Sequence, residues 1–330
     1  MNNQRILWVD YARAFSVLCV ILYHTQLPAP FSALSYFLCL PIFFFCAGFL
    51  HHSSSFSCFL KKRMVRLLIP YVIFGIIAYL LWLVTRHYGE DAASISSWWR
   101  PLAGMLYGTS DRLLHNRPLW FLTALFSLEL VYNLLDKISK KYIKWAAIMI
   151  LLLTGWLNSK YCPIILPWGI GAASVMLIFY AIVDAIKERL LFLPVPTLVL
   201  LLLMGIFATA VSFYFNPHIK ISYNQFGNMF FFLLGVTGVI ALWMSISMLL
   251  TRLPVHLRFL QFIGSNTLTI LCLHMPLFSI IKGITYFIFH LPLSIYQTVT
   301  GSLLLFVGSL ILLLPICWLL KKYAQWLVGH

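Results

Sequence analysis

Arg13 and His24 stand eleven residues apart in the first hydrophobic stretch of this 330-residue chain. At about 100° per residue, eleven steps bring them within about 20° of each other around a helix. Along the axis they are separated by roughly 16 Å, about half the hydrocarbon thickness of a bilayer. Asp10 lies one turn before Arg13 on the same stripe. An Arg at mid-membrane costs roughly 2.5–3.5 kcal/mol on insertion scales, so it belongs against protein or water rather than lipid. A neutral imidazole can take up a proton and return it. The stripe therefore offers a base at one depth and a cation, steadied by a carboxylate, at another. The plainer readings are a local Asp10–Arg13 ion pair that only positions the helix, and a hydrogen-bonded core histidine at position 24.

A second group of residues has phosphate chemistry. After Lys61 and Lys62 come Arg63 and Arg66, three apart and so on one face of a helix that is about to enter a hydrophobic stretch. Two guanidinium groups at a helix start suit an anionic phosphate; the alternative is an ordinary topology signal. Glu129, with Asn133 one turn further on, and His274, two residues before Pro276, complete the deep polar set. Asp184 and Lys282 fall nearer segment ends, as snorkelling or topological charges.

The elements that must position these residues are membrane helices. Of the chain, 62% is hydrophobic and only 9% charged, against about 25% charged in soluble domains. Segments of about 20 apolar residues recur ten times, roughly at 6–27, 31–50, 64–86, 118–136, 143–158, 162–184, 194–214, 228–250, 261–283 and 295–320. The fifth is short and interrupted by Gly155. The first holds Asp10 and Arg13 and precedes no small-residue cleavage site, so it is expected to stay as a permanent helix. With the N-terminus inside, 15 of the 23 Lys and Arg residues, Arg5 and the Lys61–Arg66 group among them, fall on the cytoplasmic side and six on the other. This bias predicts a single-domain, all-α integral membrane protein, a bundle of about ten transmembrane helices with both termini cytoplasmic, in the inner (cytoplasmic) membrane.

One outer connection is long, about 87–117, and carries Trp98, Trp99, Arg100, Asp111, Arg112, His115 and Asn116. Its tryptophans are either a substrate platform at the outer mouth or an interfacial belt. The net charge of +15 comes in short clusters between apolar stretches, which argues for topology and against nucleic acid. Seven cysteines are scattered with no CxxC pair, so neither a disulfide framework nor a metal site is expected.

Five motifs in order resemble the membrane acyltransferase-3 family. They are Arg13-x10-His24, then Phe43-Phe44-Phe45-Cys46-Ala47-Gly48, then Arg63-x-x-Arg66-Leu67-x-x-Pro70. Pro118-Leu119-Trp120-Phe121-Leu122 follows, and last Ile263-Gly264-Ser265-Asn266-Thr267-Leu268 leading to Leu273-His274-Met275-Pro276. One departure is Ala47, where the family often has Ser. The resemblance covers the whole chain and implies an enzyme that moves an acyl group, usually acetyl, from cytoplasmic acyl-coenzyme A to a hydroxyl of a cell-envelope glycan. It implies acetyl-CoA as co-substrate, with Arg63, Arg66 and Arg13 on the donor and His24 and Arg13 as the paired catalytic motif. Asp10 and Glu129 are candidates from the residues themselves. Trp98, Trp99, Trp120 and His274 are the candidates for acceptor contact. The rival class is a transporter or flippase of a glycan or lipid-linked intermediate, which also needs buried charge.

Overall fold

The computed structural model describes residues 6–87, 97–162 and 164–328; Arg5 and residues 88–96 of the long connection lie outside the described residues. Among the described residues, ten helices are long and apolar enough to cross a membrane. They are span 1 (Leu7–His24), span 2 (Phe31–Phe49), span 3 (Phe56–Thr85), span 4 (Arg117–Leu135) and span 5 (Lys141–Tyr161). Span 6 (Pro167–Leu190), span 7 (Val195–Phe215), span 8 (Met229–Leu250), span 9 (Thr267–Phe287) and span 10 (Val299–Tyr323) follow. The expected all-α, ten-span architecture is what the chain forms.

Burial sorts the spans. In span 1, 56% of the apolar window is buried, against 11% in span 5 and 22% in spans 7 and 10. Span 1 therefore belongs to the interior of the bundle, with spans 2, 4 and 6 at 72%, 67% and 61%, whereas spans 5, 7 and 10 present side chains such as Ile150, Leu203 and Leu304 outward, as lipid-facing helices must. Span 1 packs against spans 2, 8 and 9 and against the short helix Arg258–Ser265. That short helix comes so near that a Cβ on Gly264 would collide with the Asp10 carbonyl, which is why this position has no side chain. At the far end of span 1, Ser302 Oγ donates to the Thr25 carbonyl at 3.1 Å. The start of span 10 thus meets the end of span 1, and the two run antiparallel.

Several boundaries differ from those read off hydropathy, each for a local reason. Span 5 passes through Gly155 unbroken, because the bare Cα lets span 6 approach there: a Cβ would lie 3.0 Å from the Gly171 carbonyl. Span 2 is two helices, Phe31–Cys39 and Pro41–Phe49, since Pro41 cannot donate a backbone hydrogen bond and opens a new first turn. Span 3 begins at Phe56, before its apolar run, and contains a π-helical turn at Met64–Leu68. Pro70 has no N–H for the Arg66 carbonyl, and the wider turn accommodates that gap. The ninth apolar stretch is divided at Asn266, whose amide donates to the Phe262 carbonyl at 2.7 Å and closes the short helix.

Candidate functional site

Span 1 is continuous from Leu7 to His24, so the Arg13–His24 stripe exists as one rigid helix face. His24, its last residue, is half-buried and lies on the wall of a cavity of about 630 Å³. Arg86, Trp120, Arg117 and Lys282 share that wall. Arg117 is held there by its neighbour: Asn116 Nδ2 donates to the Cys272 carbonyl of span 9 at 2.8 Å, tying the loop before span 4 across the bundle. The His24 ring is flanked by Tyr23 at 4.8 Å and by His274 at 5.1 Å, and Arg117 acts on it electrostatically.

His274 does not line the cavity and so is not placed to touch an acceptor directly. It is fully buried behind His24 on span 9. Its Nδ1 lies 3.0 Å from the Ile270 carbonyl one turn back, which only a donor can satisfy, so Nδ1 carries the proton and Nε2 is a bare lone pair. No protein group bonds that Nε2. Trp98 and Trp99 are 59% and 54% exposed and stand off the cavity wall, with the Trp98 carbonyl accepting from Tyr79. Of the four proposed acceptor contacts, Trp120 alone is on the wall.

At the opposite end of the same stripe lies a charged cluster. Arg63 Nε is 3.1 Å from Glu129 Oε2, and their side chains are only 17% and 2% exposed. The Arg63 guanidinium also covers the Phe59 ring at 5.0 Å. Glu129 is thus the ion-pair partner of Arg63, with Arg13 and Arg66 acting on it electrostatically, and not a partner of His24. The Cys46 thiol lies in the fields of both Arg13 and the buried Asp10. The π-helical turn separates the two arginines of span 3: Arg63 is turned inward, whereas Arg66 is exposed.

Between the two ends sits an aromatic layer. Phe121, on the cavity wall, packs against Phe43 at 5.5 Å and Phe44 at 5.1 Å. Along span 2 these two lie between Leu40, which lines the cavity, and Cys46, which lies in the field of Arg13. None of Arg13, Arg63 and Arg66 reaches the cavity wall.

Residues 6–322 match the model of the acyltransferase-3 family, described as an acyltransferase domain. The chain belongs to that family. No curated protein and no solved structure matches it significantly.

This acyltransferase has a further polar cluster that the residue pattern did not reveal. Near the Arg63–Glu129 pair, His51 Nδ1 meets the Tyr180 hydroxyl at 3.0 Å and Nε2 faces Asp136 at 3.5 Å. Lys144 donates to Asp136 at 2.7 Å and to the Tyr132 hydroxyl at 2.9 Å, and Tyr132 donates to Asp184 at 2.7 Å. Lys187 donates to Asp184 and to the His51 carbonyl, both at 2.8 Å. Asp184 is therefore a structural charge rather than a topological one. The ligand atoms of His51, Asp136 and Asp184 lie within 4.8 Å of one another, but an ammonium group already occupies each carboxylate, which does not fit a metal ion. Burial holds the His51 ring below its ordinary value, against the opposing pull of Asp184 and Asp136. Burial would raise Asp136, yet the Lys144 hydrogen bond and charge outweigh it and hold the carboxyl below its usual range. The partners lie on spans 4, 5 and 6 and on the turn after span 2, so only the fold brings them together.

Proposed function

We propose that this acyltransferase takes an acyl group, acetyl in the simplest case, from cytoplasmic acyl-coenzyme A and delivers it to a hydroxyl of a cell-envelope glycan. In this reading it is a multi-pass protein of the inner (cytoplasmic) membrane, with the Arg63 end facing the cytoplasm. The excess of Lys and Arg at that end supports the orientation. One observation carries the reaction: in a member of an acyltransferase family, His24 stands on the wall of a cavity large enough for an acceptor.

The chemistry follows from the groups in reach. Arg66, exposed, and Arg63 receive the phosphates of coenzyme A, and Arg13 guides the donor arm past the Phe43–Phe44–Phe121 layer, which must part to let the thioester through. His24 takes the proton of the acceptor hydroxyl as its oxygen attacks the thioester carbonyl. The C–O bond forms, the C–S bond breaks, and the proton held on His24 goes to the departing thiolate. Arg117, beside His24, is better placed than Arg13 to stabilise the negative charge on the carbonyl oxygen, because Arg13 lies roughly 16 Å down the helix.

The test is direct. Purified protein is incubated with labelled acetyl-CoA and envelope glycans, and label in the glycan is measured. His24→Ala, at equal expression, should lower the rate by about 10²–10⁴-fold. A His24→Ala protein with undiminished product would sink the general-base role.

A further inference from the structure

His24 reaches the cavity from the end of span 1, and the ring behind it is His274 of span 9, the two centroids 5.1 Å apart and the planes tilted by 45°. The two histidines differ in freedom. His274 is 0% exposed, its Nδ1 is tied to the Ile270 carbonyl at 3.0 Å, and the Phe278 ring closes on it edge-on at 5.9 Å. Its helix is held as firmly. Pro276 has no N–H for the Cys272 carbonyl one turn back, and Asn116 Nδ2 donates to that carbonyl at 2.8 Å instead. The segment that carries His274 is thereby pinned to the loop before span 4. His24, by contrast, is the last residue of its helix and half-buried, and the second side-chain torsion of a histidine is soft.

With Nδ1 carrying the proton, Nε2 of His274 can only accept. It lies in the protein interior with no partner among the described residues, and a buried acceptor left bare is costly. Of the two rings against His274, Phe278 has no N–H to give and His24 has one. Two imidazoles joined edge to edge by a bond of about 2.9 Å have centroids roughly 5 Å apart, which is the spacing of this pair. A turn of the His24 ring, with no movement of either helix, then suffices to make the bond.

Resting on the reading of His24 as general base, we propose that His274 is a positioning residue of the transfer reaction. Its Nε2 accepts the N–H of neutral His24, which leaves the lone pair on the other His24 nitrogen, turned to the cavity and the acceptor hydroxyl. Once His24 has taken the hydroxyl proton, the same N–H belongs to an imidazolium, and the bond becomes charge-assisted and stronger. His274 itself gains and loses no proton: its own stays on Nδ1 against the Ile270 carbonyl, and the proton taken from the hydroxyl leaves His24 for the thiolate. A carboxylate orients the histidine of a serine-protease triad in the same way. A neutral ring does so here without adding a charge to the membrane interior.

Three substitutions separate orientation from packing. In His274→Asn the amide reaches only as far as Nδ1, so the Ile270 bond is kept and the Nε2 acceptor is lost. In His274→Gln the amide reaches the place of Nε2 and an acceptor is kept; His274→Phe fills the volume with neither. In the labelled-acetyl assay on the purified full chain, His274→Asn and His274→Phe should lower kcat by roughly 10–100-fold and change acceptor KM by no more than about twofold. His274→Gln should recover to within about fivefold of the wild-type rate. Nitrogen NMR of the wild-type chain with ring-labelled histidine, at a pH where the rings are neutral, should show one His24 tautomer, its signal assigned by its loss in His24→Ala. An even mixture of tautomers there overturns the proposal, and this spectrum decides if the variants fail to fold. So does a full rate in His274→Asn, a loss confined to KM, or no recovery in His274→Gln. Loss of transfer in His24→Ala with full rate in His274→Asn removes this inference alone; undiminished product from His24→Ala removes the general base as well.

Discussion

The two ends of the Arg13–His24 stripe are built on opposite principles. At the Arg63 end three carboxylates each have a cation beside them: Glu129 with Arg63, Asp136 with Lys144, Asp184 with Lys187. These three pairs balance one another within protein, and packing closes around them. At the His24 end a histidine and three cations surround open volume, with no acid among the described lining residues. A closed cluster holds helices in register; a histidine beside open volume can meet a ligand. The difference assigns helix register to the buried pairs of one end, beside the exposed Arg66 that meets the donor, and proton transfer to His24 at the other, and substitutions should separate the two.

The largest effect belongs to His24. Its replacement by Ala should leave the unfolding temperature nearly unchanged while transfer falls by the 10²–10⁴-fold typical of a lost general base. Equal losses of stability and rate would mean that the open end is structural too. The Arg63–Glu129 pair should behave in the opposite way. Removing one partner of a buried pair leaves an uncompensated charge, so Glu129→Gln should cost about 3–5 kcal/mol in thermal or chemical unfolding. Pairing it with Arg63→Met should recover most of that loss. If the two losses add instead, the pair is not the closed unit that the 3.1 Å contact implies.

Much of this contrast was legible before the fold was known, and the missing part has a physical cause. The ten apolar segments and the Arg13–His24 face follow from residue type and helical period, which are local properties. Boundaries failed where backbone chemistry overrode hydropathy, as at Pro41, at the turn before Pro70 and at Asn266. The role of Glu129 was hidden because its partner is Arg63, on another span, and spacing along one helix cannot show a contact between two. The His51 cluster was hidden for the same reason: His51 and Tyr180 meet across 129 positions. His274 was visible as a polar residue in a span. That it lies behind His24, with its proton fixed by the Ile270 carbonyl, needed the packing.

Acid should sharpen the comparison at the open end. His115, in the loop that precedes span 4, is buried, and neither ring nitrogen has a protein partner. Burial pushes its ring down from the ordinary value of 6.5 to about 4. The sign follows: the unfolded chain binds the proton first, so stability held by the neutral ring is fully present above about pH 6.5 and is lost progressively as pH falls towards 4. The whole loss is about 3 kcal/mol, and His115→Gln should flatten that part of the unfolding profile. A profile unchanged by the substitution would place the acid sensitivity elsewhere, with His51 at the closed end the next group to replace.

The smallest effect is expected where residue type alone suggested the most. Trp98 and Trp99 are aromatic, adjacent and close in sequence to the cavity loop, the pattern of a sugar platform. Yet both are more than half exposed and off the wall, and the main chain of Trp98, not its ring, is what Tyr79 bonds. Trp98→Ala/Trp99→Ala should therefore change acceptor KM by no more than about twofold, the range of surface substitutions away from a contact. Trp120→Ala is the control, because that ring is 5% exposed and faces the cavity. It should raise acceptor KM by roughly tenfold, as loss of a stacking face does. Should the outer pair prove the costlier change, the glycan extends over the loop surface, and the open end would be wider than the cavity that His24 lines.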